Sequence, residues 1–214
     1  MSAKDSDNQE PCGRRHGLRL RHLLTGLLLF VSLILLLILI IWLVLRPSKP
    51  KFYLQAISIY QLNVTGAGGA APNLLTAVLQ TTLSSRNPND RVGIYYDDLR
   101  AFAAFKGQRI TTSAPLAAGY QGHHDVAVWS PYLYGASVPL APYLAAALEQ
   151  DRATGLLLVE LKVEGRLRWK VGTWISSRYR LQANCPAFIT VSNGAGETPA
   201  FRFQQQLSTC TVDV

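Results

Sequence analysis

The chain has 214 residues, 49% of them hydrophobic and 16% charged, with a formal net charge of +8. Residues 1–51 hold eight basic and three acidic groups and residues 52–214 hold thirteen and ten, so five of the eight net charges flank a single apolar run. The remaining +3 is ordinary, and without a basic stripe interleaved with aromatics the composition excludes nucleic acid as a partner.

Residues 1–22 are polar and charged, too few and too hydrophilic to bury a core, and are expected to form a disordered, basic cytosolic tail. Cys12 within it is a candidate for acylation, the alternative being a reduced thiol. Residues 23–45 (LLTGLLLFVSLILLLILIIWLVL) contain no charge, and only Thr25 and Ser32 interrupt the apolar surface. Such a run exceeds the roughly 20 residues needed to cross a ~30 Å hydrocarbon core, so a transmembrane helix contacting membrane lipid is expected there. It is longer than the apolar region of a signal peptide and ends without a small-residue cleavage site, at Trp42 and Arg46, which suit the membrane interface. Lys4, Arg14, Arg15, Arg19 and Arg21 precede the run against Arg46, Lys49 and Lys51 after it. That balance places the N-terminus in the cytosol and the C-terminal part outside.

After a short linker at 46–51 stiffened by Pro47 and Pro50, residues 52–214 are the size of one domain. Its apolar period is mostly two. Residues 75–83 alternate before the turn residues Asn87-Pro88-Asn89-Asp90, and 99–106 form a further extended stretch ended by Gly107. Residues 140–152 place Leu140, Tyr143, Leu144, Ala147 and Leu148 at helical spacing, with a stop near Gly155. In 156–169, Leu161, Val163, Gly165, Leu167 and Trp169 share one face of a strand and Lys162, Glu164, Arg166 and Arg168 the other. Gly165 there suggests a bulge or a close backbone approach. Strands at 178–185, 188–191 and 201–212 complete the series, with Asn193-Gly194-Ala195-Gly196 as a turn. Short strands with one helix indicate an all-β, antiparallel immunoglobulin- or fibronectin-like sandwich, with an antiparallel barrel as the second choice.

Residues that could carry chemistry are few. His123-His124-Asp125 lacks further ligands for a tetrahedral metal site, and no metal or cofactor is expected. Tyr95-Tyr96-Asp97-Asp98 reads better as one core ring and one surface ring than as an acid/base pair. Asn87-Pro88-Asn89 reads as a turn in which proline fixes φ and the amides bond nearby backbone, with a recognition loop as the other reading. There is no G-x-S-x-G elbow, phosphate-binding loop or dinucleotide fingerprint, so the chain is expected not to be an enzyme.

Arg86-Asn87-Pro88-Asn89 followed by Gly93-Ile94-Tyr95-Tyr96-Asp97 resembles the NPN…IYYD signature of the plant harpin-induced-like family, whose ectodomain is a late embryogenesis abundant subgroup 2 domain. The stretches Gly165-Arg166-Leu167-Arg168-Trp169-Lys170-Val171-Gly172 and Arg178-Tyr179-Arg180-Leu181, and the ending Asn184-Cys185-Pro186…Cys210-Thr211-Val212-Asp213-Val214, extend the resemblance over nearly the whole chain. It implies a fibronectin-like sandwich, a plasma-membrane location and a role in plant defence or stress. The chain departs from many relatives in having only Pro11 before the apolar run.

The expected function is that of a membrane-anchored interaction or structural protein, displaying its sandwich to a protein or cell-wall partner. A binding protein for a lipid or other apolar ligand between the sheets is the alternative, and an ectodomain hydrolase is a third. Asn63-Val64-Thr65 is a glycosylation acceptor in the part assigned outside. The same compartment permits a disulfide between Cys185 and Cys210. A hairpin centred near residue 196 sets Cys185 opposite about position 207, so a bulge or asymmetric loop must supply the offset, the alternative being two buried free thiols.

Overall fold

The computed structural model describes residues 13–66, 72–192, 200–203 and 207–214. The chain divides into two compact units, 1–46 and 47–214. The first is a helix, α1 (Gly13–Leu45). Its segment His22–Ile40 is apolar, long enough to cross a membrane, and not buried against anything. A helix apolar on all sides and unburied is the form of a single membrane anchor rather than of a core helix. The helix begins before the apolar run, so residues 13–22 are helical and not part of a disordered tail. Arginine, leucine and histidine there are acceptable helix formers, and adding residues to an existing helix avoids the cost of nucleation. Cys12 and the rest of 1–12 lie outside the described residues.

The second unit contains, in order, β1 (Lys51–Thr65), β2 (Leu74–Arg86), β3 (Gly93–Phe105), β4 (Gln108–Arg109), β5 (Ala114–Pro115), β6 (Gly119–Gln121), β7 (Val126–Trp129), β8 (Tyr132–Pro139), α2 (Pro142–Thr154), β9 (Leu156–Val171), β10 (Trp174–Ile175), β11 (Tyr179–Ser192), β12 (Ala200–Phe203), β13 (Ser208–Thr209) and β14 (Thr211–Asp213). One sheet runs β13-β1-β2, with β7 and β8 both pairing along β2. The other runs β12-β11-β9-β3-β4, with β14 beside β11, β10 beside β9, and β5 and β6 beside β3. All pairings are antiparallel. Both sheets contribute to one core, including Leu54, Leu79, Leu83 and Leu133 from the first and Ile94, Leu161, Leu167 and Leu181 from the second. This is the expected β-sandwich.

Strands β2 and β9 lie where alternation predicted them, and Leu161, Val163, Leu167 and Trp169 are buried as expected. The helix is α2, displaced by two residues: Pro142 sits in its first turn, and Gly155 caps it in the left-handed region at φ 79°, its N–H donating to the Arg152 carbonyl. Leu144, Ala145 and Leu148 bury its face, whereas Tyr143, expected on that face, is exposed. The two strands expected at 178–185 and 188–191 are a single β11 running through Pro186. Ser208 Oγ donates to the Pro186 carbonyl at 2.6 Å. In a strand the nitrogen and carbonyl of one residue face the same side, so the missing N–H faces the crossing segment, where no ladder bond is needed. The single strand expected at 201–212 is instead β12, β13 and β14. The turn expected at Asn193-Gly194-Ala195-Gly196 falls outside the described residues.

Gly165 fulfils both halves of its sequence reading. The β3–β9 register shifts between Asp97 and Arg100, so Asp98 and Leu99 together oppose Gly165. A Cβ on Gly165 would stand 2.9 Å from Leu99 Cα and 3.0 Å from the Asp98 carbonyl oxygen. Only glycine leaves room for that bulge.

Candidate interaction surface

The two asparagines of the NPN turn are buried and bonded internally, and Pro88 between them is half-buried. Asn87 is fully buried: its Nδ2 donates to the Val92 and Gly122 carbonyls, both at 2.8 Å, and its Oδ1 accepts from the Asn89 N–H at 3.1 Å and from Asn89 Nδ2 at 2.8 Å. All four bonding positions of that amide are therefore filled. Asn89 reaches the other way. Its Oδ1 accepts from the Ser48 N–H at 2.7 Å and its Nδ2 donates to the Ser48 carbonyl at 2.9 Å. The turn thus clamps the segment leading into β1 against the start of β3, with Pro88 between the two amides. It is a structural turn rather than an open recognition loop.

Tyr96 and Tyr95 divide between core and surface as the alternation of β3 requires. The Tyr96 ring meets Phe52 and Trp129 edge-on, with centroids at 6.2 and 5.6 Å. Its hydroxyl lies 2.8 Å from Ser85 Oγ and donates to Gln121 Oε1 at 2.8 Å, while Gln121 Nε2 donates to the Ser85 and Asp125 carbonyls. Burial pushes the phenol well above its ordinary value, against a smaller lowering by Ser85, so it stays neutral. Tyr95 is half-buried on the outer face, 4.8 Å from the Tyr120 ring, with Lys170 Nζ 4.9 Å from the Tyr120 centroid.

Asp97 is engaged by arginine. Arg168 Nε donates to its Oδ2 at 2.7 Å and Arg168 Nη2 to its Oδ1 at 3.0 Å, a bidentate pair, and Arg178 Nε stands 3.7 Å from the same Oδ2. The Tyr-Tyr-Asp signature therefore offers no free acid or base: one phenol is buried, the other stacks, and the carboxylate is neutralised.

Beside this pair, β9 and β11 present arginines in register. Arg166 opposes both Asp97 on β3 and Arg180 on β11. An open concavity of about 730 Å³ follows the bulge, lined by Asp98, Arg100, Glu164, Gly165, Arg166, Arg178 and Arg180. Arg100, Arg166 and Arg180 are exposed, and among the described residues their guanidiniums make no ion pair or hydrogen bond. Like charges directly opposite across strands are destabilising, so the Arg166–Arg180 pair is held against a local electrostatic cost. Alternation within 156–169 marks the outer face of β9 but not the strand that lies beside it. The signal was present as Arg166-x-Arg168 and Arg178-x-Arg180, two alternating pairs on antiparallel neighbours.

His124 sits in a turn at φ 56° and pairs through Nε2 with Asp90. Among the described residues no group of three histidine, cysteine or carboxylate side chains could hold a metal. A second concavity, of about 360 Å³, opens on the outer face of the same sheet between Lys162, Glu164, Gln182, Asn184, Thr211 and Asp213. Both concavities are lined by charged and amide groups and face outward, unlike the apolar cavity between the sheets that a lipid site would require.

Cys185 and Cys210 are joined in a disulfide with Cα atoms 4.2 Å apart. The offset required by the hairpin register comes from a crossover. After β12 pairs with β11 (Ile189 opposite Phe203), β13 leaves to pair with β1 in the other sheet (Leu54 opposite Ser208), and β14 returns to β11 (Asn184 opposite Thr211). The Cys210 N–H donates to the Phe52 carbonyl at 3.0 Å. The bridge fastens the crossing segment between the sheets. Asn63 is exposed on β1, opposite Thr76.

Residues 82–185 match the family model described as late embryogenesis abundant protein. The chain is 44% identical to NDR1/HIN1-like protein 1 of Arabidopsis thaliana over 192 residues, covering 90% of this chain and 89% of that protein. It is 42% identical to NDR1/HIN1-like protein 12 of the same plant over 166 residues, covering 78% and 77%. It is 35% identical to NDR1/HIN1-like protein 26 over 216 residues, covering 99% and 100%.

Proposed function

We propose, starting from the fact that the chain belongs to the NDR1/HIN1-like family of late embryogenesis abundant proteins, that it is a non-enzymatic interaction protein anchored by α1, displaying its sandwich at the outer face of the plasma membrane. The family supports a role in plant defence or stress responses. The anchored reading is supported by the apolar α1 and by the basic residues before it, which favour a cytosolic N-terminus. The disulfide and the exposed Asn63 sequon fit an oxidising, glycosylating compartment, where Asn63 carries an N-glycan.

The observation that carries the reading is the arginine concavity. In a domain whose signature side chains are bonded internally, Arg100, Arg166 and Arg180 hold charge around an open hollow with no partner among the described residues. Their partner is an acidic protein or wall polymer, engaged through carboxylate or other oxyanion groups that guanidinium recognises in a planar, bidentate way. Confinement to a surface raises the effective concentration of a contact that is weak in solution.

The test is surface cross-linking and pull-down from plant cells expressing the full chain or its Arg166→Gln/Arg180→Gln variant. The wild type should capture a partner in a salt-sensitive manner and the variant should lose it, with thermal stability unchanged or slightly raised. Equal capture by both proteins would overturn the assignment of this surface.

A further inference from the structure

The outer face of the sheet containing β1, β2, β7 and β8 has a different chemistry. Apart from the paired end residues Lys51 and Arg86, the stretches 52–65, 74–85 and 126–139 that supply that sheet's long strands contain no charged side chain. Tyr60, Tyr132 and Tyr134 stand on the outer face at 63%, 62% and 54% exposure. Tyr60 stacks on Tyr132 with centroids 6.3 Å apart, and its hydroxyl donates to Gln80 Oε1 at 2.8 Å. Around them are Ser58, Gln61, Thr76, Val78, Gln80 and Thr82. A solvent-facing surface ordinarily mixes both signs of charge, whereas depletion of charge with enrichment in tyrosine marks a covered one. Beyond Leu54, β1 pairs on that side with no described strand, and it carries neither lysine nor proline there.

Asn63 lies on this same face. The register sets three successive rows across β1, β2 and β8: Ser58, Gln80 and Tyr132, then Gln61, Val78 and Tyr134, then Asn63 and Thr76. Tyr60 is the extra residue of the β-bulge between Ile59 and Gln61 and leans over Gln80. Asn63 stands three residue steps further along the strand, about 10 Å at the rise of an extended chain.

We propose that the occupant of this face is the chain's own glycan: a saccharide on Asn63 folds back along the sheet and stacks its core sugars on Tyr60 and Tyr134. The inference rests on the glycosylation of Asn63 given above. The chemistry matches in three respects. The apolar C–H face of a pyranose lies against the electron-rich face of an aromatic ring. Sugar hydroxyls find amide and hydroxyl partners in Gln80, Thr76 and Thr82. A neutral glycan needs no counter-charge, which an uncharged face cannot supply.

The experiment uses the full chain made in plant cells and purified in detergent, with hydroxyl-radical footprinting read by mass spectrometry at Tyr60, Tyr132 and Tyr134, and at exposed Trp174 on the other sheet as reference. Wild type is compared with its enzymatically deglycosylated form and with two glycan-free variants, Asn63→Gln and Thr65→Val. The expected result is several-fold greater labelling of Tyr60 and Tyr134 in all three glycan-free forms, with Trp174 unchanged. A mass loss on deglycosylation with equal labelling before and after would overturn the stacking while leaving the glycosylation intact. Absence of any mass loss would overturn both. Protection that persists in the glycan-free forms and deepens with protein concentration would assign the face to a second copy of the chain and overturn the inference.

Discussion

Replacing Asn87 with alanine probes the claim that the NPN signature is a structural clamp. The change removes four hydrogen bonds at a fully buried site. It leaves the Val92 and Gly122 carbonyls and two N–H groups of Asn89 without their partner. Each buried group so orphaned costs ~1–3 kcal/mol, less where water enters the vacated space, so the loss should be about 3–5 kcal/mol. For a unit of this size 1 kcal/mol corresponds to roughly 2–4 °C, and the midpoint should fall by about 10 °C. Asn89→Ala should cost less, since its bonds to Ser48 are only partly buried. Asn87→Asp should be no rescue, because a carboxylate cannot donate to the two carbonyls. The assay is thermal unfolding of the full chain in detergent, followed by near-ultraviolet circular dichroism. A midpoint for Asn87→Ala within about 2 °C of wild type, combined with loss of partner capture, would refute the clamp and restore the recognition-loop reading.

Replacing Cys185 and Cys210 together with alanine opens a loop of sequence separation 25, worth roughly 3 kcal/mol in the chain-entropy model. Denaturant titration should show the midpoint fall, and an unchanged midpoint would contradict the account of the crossing segment. Because burial raises the Tyr96 phenol above its unfolded value, the stability linked to it is complete below about pH 10 and is lost as pH rises toward the folded value. Tyr96→Phe should therefore be less stable at neutral pH, through loss of the Ser85 and Gln121 bonds, yet show a shallower alkaline decline in urea titrations; an identical decline would remove Tyr96 as its source. Gly165→Ala places a methyl group against the Leu99 and Asp98 backbone and should cost about 1–3 kcal/mol. Wild-type stability in that variant, measured by the same titration, would show that the bulge yields freely.

The parts of the fold that were legible in the sequence are those where one physical rule acted alone. Strand β9 alternates strictly from Glu160 to Lys170, with Gly165 standing in the inner row, so its buried face is read directly from the sequence. Strand β1 carries no such signal, because bulges between Leu54 and Ala56 and between Ile59 and Gln61 break its alternation. Its buried residues Phe52, Leu54, Ile57 and Leu62 then follow no fixed period. Strand β11 was divided at Pro186 because the rule against proline inside a sheet holds only where both neighbours bond, and here one side faces the crossover. The pairing of Cys185 with Cys210 was readable from number and compartment, but the route by which the chain reaches it through the other sheet was not. The arginine concavity depends on which strands neighbour one another, which alternation within one strand does not state. By contrast, the core and surface places of Tyr96 and Tyr95 follow from strand alternation and the turn at 87–89 from local chemistry, whereas the bonds of Asn89 to Ser48 and of Asn87 to Gly122 join segments distant in sequence and are set by the fold.

The proposed function depends on α1 anchoring the sandwich at the cell surface with the C-terminal unit outside. It is tested by protease treatment of intact plant protoplasts expressing the full chain with a C-terminal epitope, with a cytosolic protein as the control for intactness. Loss of the epitope with the cytosolic control intact is the predicted result. Protection of the epitope until the membrane is permeabilised would contradict the account.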